Sequence, residues 1–146
     1  MRFKDTLGIS IALKHAENLM RNCIDRELQK LDLTFAQYSA LSALEEKGSL
    51  TNADLARKLH ITPQTMIKIL EPLSEAKLVT RAPHEENLTK LTYNLTKKAE
   101  DLICKGHALV NKIEKDSIKG ISKSDYADLQ QKFEHILQNL RKMNRG

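Results

Sequence analysis

Apolar residues recur every three or four positions along the first part of the chain, at Leu7, Ile11, Ala12, Ala16, Leu19, Met20, Cys23, Ile24, Leu28 and Leu31. This is the period of an amphipathic helix, and it predicts one from residue 7 to about 31. The segment "LTFAQYSALSALEEKG" predicts a second helix. Thr34 is placed to cap its start, Tyr38, Leu41 and Leu44 share a face, and Gly48 follows the last periodic position. The pattern restarts in "SLTNADLARKLH", where Thr51 is an N-cap candidate and Asp54 sits at the positive end of the new helix dipole. Ala53, Leu55, Ala56 and Leu59 give this helix a short apolar face, enough for two or three turns.

In "HITPQTMIKIL", residues 60–70, Thr62 caps a further helix and Pro63 occupies its first position, where a missing N–H costs nothing. Met66, Ile69, Leu70 and Leu73 form the predicted buried stripe, which leaves Gln64, Thr65 and Lys68 on the outer side. Two short helices joined by the tight turn "LHIT" are the helix-turn-helix pattern, whose second helix enters the DNA major groove by its N-terminal residues. Pro72 lies inside this helix and removes one of its hydrogen bonds, so a bend or local distortion is expected there.

The period then changes. Leu78 and Val79 open a β-prone piece, and Leu91, Tyr93 and Leu95 alternate with Thr92 and Asn94 as in a strand. The turn-rich "APHEEN" between them completes a β-hairpin, the wing of a winged helix. Helical spacing returns after Thr96, with Leu102, Ile103, Leu109, Val110 and Ile113 apolar and Gly106 weakening the run by about 1 kcal/mol relative to alanine. After "KGISKSD", Ser122 or Ser124 starts a last helix carrying Tyr126, Leu129, Phe133, Ile136, Leu137, Leu140 and Met143, a seam of coiled-coil type.

The predicted fold is therefore mainly α with a small β-hairpin wing. Residues 1–146 read as one domain, with an N-terminal helix (1–32), a winged helix-turn-helix (33–96) and C-terminal helices (97–146). A winged helix of about 65 residues does not need this much extra apolar surface to be stable, so both ends are read as dimerisation helices and the partner as a second copy of the chain.

Composition narrows the function. The net charge of +5 and pI near 9.2 suit a polyanionic partner. Aromatic residues make up only 4 %, which argues against a stacking platform for single-stranded nucleic acid. No glycine-rich nucleotide motif, nucleophile motif, paired-carboxylate context or zinc spacing is present, so neither an enzyme nor a metal or other cofactor is expected. No apolar run approaches the length of about 18 residues needed to cross a membrane. The start "MRFKDTLGISIALKHAENLM" lacks a cleavage site, so a cytoplasmic protein is expected. Cys23 and Cys104 are far apart and are read as free, partly buried thiols, with a redox sensor as the minority case.

The order and identity of these pieces resemble the MarR-type regulators, including the SlyA-like members. The resemblance is carried by "LTFAQYSALSALEEKGSLTNADLARKLHITPQTMIKILEPLSEAKLVTR" and the closing "LTYNLTKKAEDLI". It implies a homodimer with winged-helix lobes on a helical base, binding a double-stranded, pseudo-palindromic DNA operator and released by a small anionic or phenolic effector or by an oxidant. A repressor is the expected role. The resemblance also places an effector pocket near the dimerisation helices, where His15, Arg21 and Tyr38 are the candidate contacts.

The chain departs from the family pattern in three places. The wing carries Asn87 and Thr89 where the family has Asp-x-Arg, and Lys77 and Ala99 stand where it has glycines. Lys90, or His84 through its ring, is the available substitute for the wing arginine.

The candidate DNA-reading residues are Thr62, Pro63, Gln64, Thr65 and Lys68. Glutamine pairs with adenine, threonine touches a thymine methyl, and lysine reaches guanine or phosphate. Arg57, Arg81 and Lys90, with Lys58, Lys97 and Lys98, are candidates for phosphate contact, which positions without specifying sequence. Glu85 and Glu86 would repel a backbone, so the wing is expected to touch DNA weakly or not at all. The alternative reading is a winged-helix protein-interaction module that has lost specific DNA binding.

Overall fold

The computed structural model describes residues 8–145. In chain order the elements are α1 (Ile9–Leu28), a 3-10 turn (Gln29–Leu31), α2 (Phe35–Lys47), β1 (Ser49–Thr51), α3 (Asn52–Lys58), α4 (Pro63–Glu75), β2 (Val79–Pro83), β3 (Leu91–Leu95), α5 (Lys97–Ser117) and α6 (Lys123–Met143). The chain separates into two compact units, one running to Asn111 and the other from Lys112 onward, so the boundary falls inside α5. Leu7, the first predicted position of α1, lies outside the described residues.

The core of the first unit is built by Ile24 and Leu28 of α1, Leu41 and Leu44 of α2, Leu55 of α3, Met66, Leu70 and Leu73 of α4, and Ile103 of α5, none more than 1 % exposed. Helices α2, α3, α4 and α6 start at side-chain caps. Thr34 accepts from the Gln37 amide while the Gln37 side chain accepts from the Thr34 amide, a reciprocal capping box. Thr51 and Asp54 repeat that arrangement at α3. Thr62 accepts from Thr65 N–H at α4, with Pro63 in the first turn as expected. Ser122, rather than Ser124, caps α6 by accepting from Asp125 N–H.

Several expectations are corrected. The sheet has three strands, not two: β1 pairs antiparallel with β3 and β3 with β2, in the order β1-β3-β2. The simple alternation expected of β3 fails, because Thr92 is buried with Tyr93 while Leu91 is exposed. Thr92 lies on the central strand opposite both Thr51 and Ala82, and its hydroxyl donates to the Ala82 carbonyl at 3.2 Å. Ala53 faces solvent rather than the core. Both cysteines are exposed, not partly buried, because each lies off the apolar face of its helix. Helix α4 runs on past Pro72, which lies on the exposed side.

Helix α4 ends at a left-handed residue. Lys77, standing where the resemblance has glycine, has φ +57°, and the Leu78 amide reaches back to the Leu73 carbonyl at 2.9 Å. That is the Schellman closure, formed here without glycine. Lys98 reinforces it by donating from Nζ to the Ala76 carbonyl at 3.0 Å.

Candidate nucleic-acid interface

The turn between α3 and α4 is fixed from both sides. His60 adopts φ +55°, and the Ile61 amide donates to the Ala56 carbonyl at 3.0 Å. Asn52, at the start of α3, donates from Nδ2 to the Pro63 carbonyl at 3.1 Å and so ties the first turns of the two helices together. The Asn52 Oδ1 is buried and has no hydrogen-bond partner among the described residues. Buried Met66, Leu70 and Leu73 anchor the inner side of α4.

The outer side of α4 is what this packing leaves free. Pro63, Gln64, Thr65, Ile67, Lys68 and Glu71 are exposed. At 100° per residue, Gln64, Lys68 and Glu71 stand opposite the buried stripe, with Ile67 beside them. Thr62 and Thr65 differ from these, since their hydroxyls lie 2.9 Å apart and bond each other. The structure therefore brings the five expected reading residues to one capped helix start, but of these five only Gln64 and Lys68 present uncommitted polar groups on its outer face. Ile67 was not singled out by the sequence pattern, because its neighbours already completed an apolar stripe.

The surrounding cations are not equally available. Arg57 bonds Asp54 at 3.1 Å, Lys58 bonds Glu46 at 2.8 Å, and Lys97 bonds Glu100 at 3.3 Å. The Lys58 ammonium, with Lys47 next, holds the Glu46 carboxyl below its usual value. Hydrogen bonding from Thr51, opposed by partial burial and aided by Arg57, does the same for Asp54. Arg81 projects from β2 and Lys90 from the wing, both exposed.

The wing is closed on itself. Asn87 Oδ1 accepts from the Thr89 amide at 3.1 Å and from its hydroxyl at 2.6 Å, and His84 Nδ1 accepts from the Glu86 amide at 3.1 Å. The ring of His84 is thus engaged inside the hairpin.

The MarR family model matches residues 33–88, the segment from the start of α2 into the wing. The HTH-type transcriptional repressor Rv2887 of Mycobacterium tuberculosis is 25 % identical over 140 residues, covering 96 % of this chain and 98 % of that protein. The crystal structure of the transcriptional regulator PA3341 is 29 % identical and superposes with a TM-score of 0.83, covering 92 % of this chain and 99 % of that one. Residues 33–88 thus match the MarR family, and both regulators resemble this chain over more than nine-tenths of its length.

Its fold also matches a cysteine-to-serine mutant of MarR from E. coli complexed with operator DNA, with a TM-score of 0.82 at 18 % identity over 88 % of this chain and 93 % of that one.

A cavity of about 320 Å³ is bounded by α1, the start of α2, the turn after α3, and α4. Arg21, Asp25, Phe35, Ser39, Thr65 and Ile69 are among its lining residues. Asp25 accepts from the Phe35 amide at 2.6 Å, so its charge already sits at the positive end of α2. Arg21 is paired with Glu17. Of the three candidate effector contacts, only Arg21 lines this cavity. His15 is exposed on α1, and Tyr38 is turned the other way, into a relay.

That relay was not visible in the sequence. The Tyr38 hydroxyl lies 2.7 Å from His107 Nδ1, and His107 Nε2 lies 2.6 Å from Glu45 Oε2. A carboxylate only accepts, so His107 Nε2 donates to Glu45, while Nδ1 and the Tyr38 hydroxyl share the second hydrogen bond. The three residues join α2 to α5 across a separation of 69 positions in sequence, which no local pattern reveals.

Among the described residues no helix is long and apolar enough to cross a membrane.

Proposed function

We propose that this chain is a cytoplasmic, homodimeric transcriptional regulator that binds a double-stranded DNA operator sequence-specifically, with α4 as its reading helix, and acts as a repressor released by a small ligand. The observation that carries this reading is the exposed, uncommitted pair Gln64 and Lys68 on the first two turns of a capped helix in a MarR-family winged helix. The name of the mycobacterial relative supports repression, and the operator-bound relative of the same fold supports DNA as the partner.

In this reading Gln64 addresses a base edge, Lys68 a guanine or phosphate, and the Thr62-capped N-terminus of α4 a phosphate oxygen. Arg57, Arg81 and Lys90 contribute sequence-independent attraction, with Arg57 weakened by its bond to Asp54. The helices of residues 1–32 and 97–146 form the dimer base. The exposed apolar side chains of α6 support that assignment. The cavity beside Arg21 is the effector site. A ligand entering it would touch Thr65 and Ile69 of α4 directly, which couples occupancy to the reading helix. Arg21 favours a carboxylate or phenolate, while Asp25 restricts the anion to the Arg21 side.

The test is fluorescence anisotropy with the gene's own upstream DNA against a scrambled duplex, over a salt series. Selective binding with a steep salt slope, reduced by Gln64→Ala, is the expected result. Weak, sequence-blind binding would instead favour a protein-interaction module, the reading that the exposed Glu85 and Glu86 of the wing tip support.

A further inference from the structure

We propose that Ile67 is a specificity-determining residue that reads the C5-methyl group of a thymine in each half-site. This rests on the reading of α4 given above and extends it from which helix reads to what one side chain demands.

Helix α4 has a complete core without Ile67. Met66, Leu70 and Leu73 are no more than 1 % exposed, whereas Ile67 is 44 % exposed and is one of the large apolar side chains left in solvent. Its placement is not that of a hydrophobic patch. Gln64 precedes it by three positions, Lys68 follows it, and Glu71 lies one turn beyond, all exposed and polar. A β-branched side chain here is also a poorer helix former than the alanine, leucine or lysine that would serve a solvated position.

A surface that is polar except for one branched aliphatic group fits the major groove. There the base edges present donors and acceptors, and their one apolar feature is the thymine methyl. Gln64 and Ile67 are neighbours at i and i+3, so they address adjoining base positions. Glutamine pairing with adenine and isoleucine covering a methyl both select A·T pairs. The side chain of Ile67 is branched and short of rotamers, so its contact is rigid and discriminating.

The probe is the duplex that the wild-type protein enriches from a random-sequence pool. Each thymine in it is replaced in turn by deoxyuridine, which pairs identically but lacks the methyl. At one thymine per half-site the replacement is expected to weaken wild-type binding about fourfold, the effect of withdrawing one methyl from apolar contact. Ile67→Ala, whose thermal unfolding should match the wild type, is expected to bind the thymine and deoxyuridine duplexes equally, and Ile67→Val to keep part of the discrimination. A purely structural role for Ile67 would not move this readout. Wild-type binding that is indifferent to every deoxyuridine replacement, or an Ile67→Ala protein that discriminates as the wild type does, overturns the assignment while leaving α4 as the reading helix. A pool with no enriched sequence removes that helix role and this inference together.

Discussion

A Cβ placed on Gly106 would lie 3.0 Å from Cδ2 of the Tyr38 ring. Glycine in the middle of α5, which costs helix stability, is thus the residue that lets α2 and α5 approach closely enough for the Tyr38 hydroxyl to reach His107. Phe35 stacks near the same ring with a centroid distance of 6.2 Å, and His107 meets it edge-on at 5.5 Å. These neighbours and the hydrogen bond to His107 restrain the ring from shifting.

Gly106→Ala is therefore expected to destabilise the protein even though alanine is the better helix former. Overpacking costs about 1–3 kcal/mol, against a propensity gain of about 1 kcal/mol, so a net loss of about 1 kcal/mol is expected in urea unfolding. In a Tyr38→Leu background the clash is absent, and the same change becomes neutral or stabilising. Equal effects of Gly106→Ala in both backgrounds would disprove the steric account.

Lys77 gives the opposite case, a side chain where glycine is favoured. Its φ of +57° strains any residue with a Cβ, and nothing in the fold removes that strain. Lys77→Gly is expected to stabilise by up to about 1 kcal/mol, the relief being partly offset by glycine's greater freedom in the unfolded chain. Gly48→Ala should lose about 1 kcal/mol although no atom lies within 4 Å of the added Cβ, since its φ of +86° carries the penalty. A drop in Tm for Lys77→Gly would show that the lysine makes a compensating contact.

The helix-turn-helix was readable because its signals are local. Thr34, Thr51 and Thr62 each cap a helix three residues long in information, and the stripe of Met66, Leu70 and Leu73 follows from period alone. The missing pieces are all non-local. Strand β1 is three residues whose pairing partners Thr92, Tyr93 and Asn94 lie far down the chain, and it turned Thr92 inward against the alternation read from its neighbours. His107 and Glu45 acquire a role only when α5 lies on α2, and Gly106 reads as a weakness until Tyr38 is placed against it. Arg57 was legible as a cation near α4, but its engagement by Asp54 depends on the capping geometry of α3. Ile67 could have been found by asking which apolar residue of α4 its own stripe does not need.

Asp54 predicts an acid response. Hydrogen bonding from Thr51 holds its folded-state pKa below the usual aspartate value of 3.8. Folding therefore favours the carboxylate, and this contribution is present above the unfolded value and lost as pH falls through the lower folded one. Unfolding free energy followed from pH 7 towards pH 3 should fall less steeply for Asp54→Asn than for the wild type, with the variant the less stable at neutral pH. Parallel pH profiles would show that the α3 capping box does not depend on ionisation.

Helix α6 carries the prediction with the widest consequence. None of its residues is buried, and Leu129, Phe133, Leu137 and Leu140 are 38–43 % exposed at the spacing of one helical seam. A helix with this pattern is stable when its apolar stripe packs against another surface. A second copy of the chain would supply one with the same chemistry. Phe133→Asp combined with Leu137→Asp is expected to convert a dimer into a monomer in sedimentation equilibrium without unfolding the winged helix. Operator affinity should then fall more than tenfold, because two half-sites are no longer engaged together. A wild-type protein that sediments as a monomer, or a double variant that remains dimeric, would place the subunit contact elsewhere.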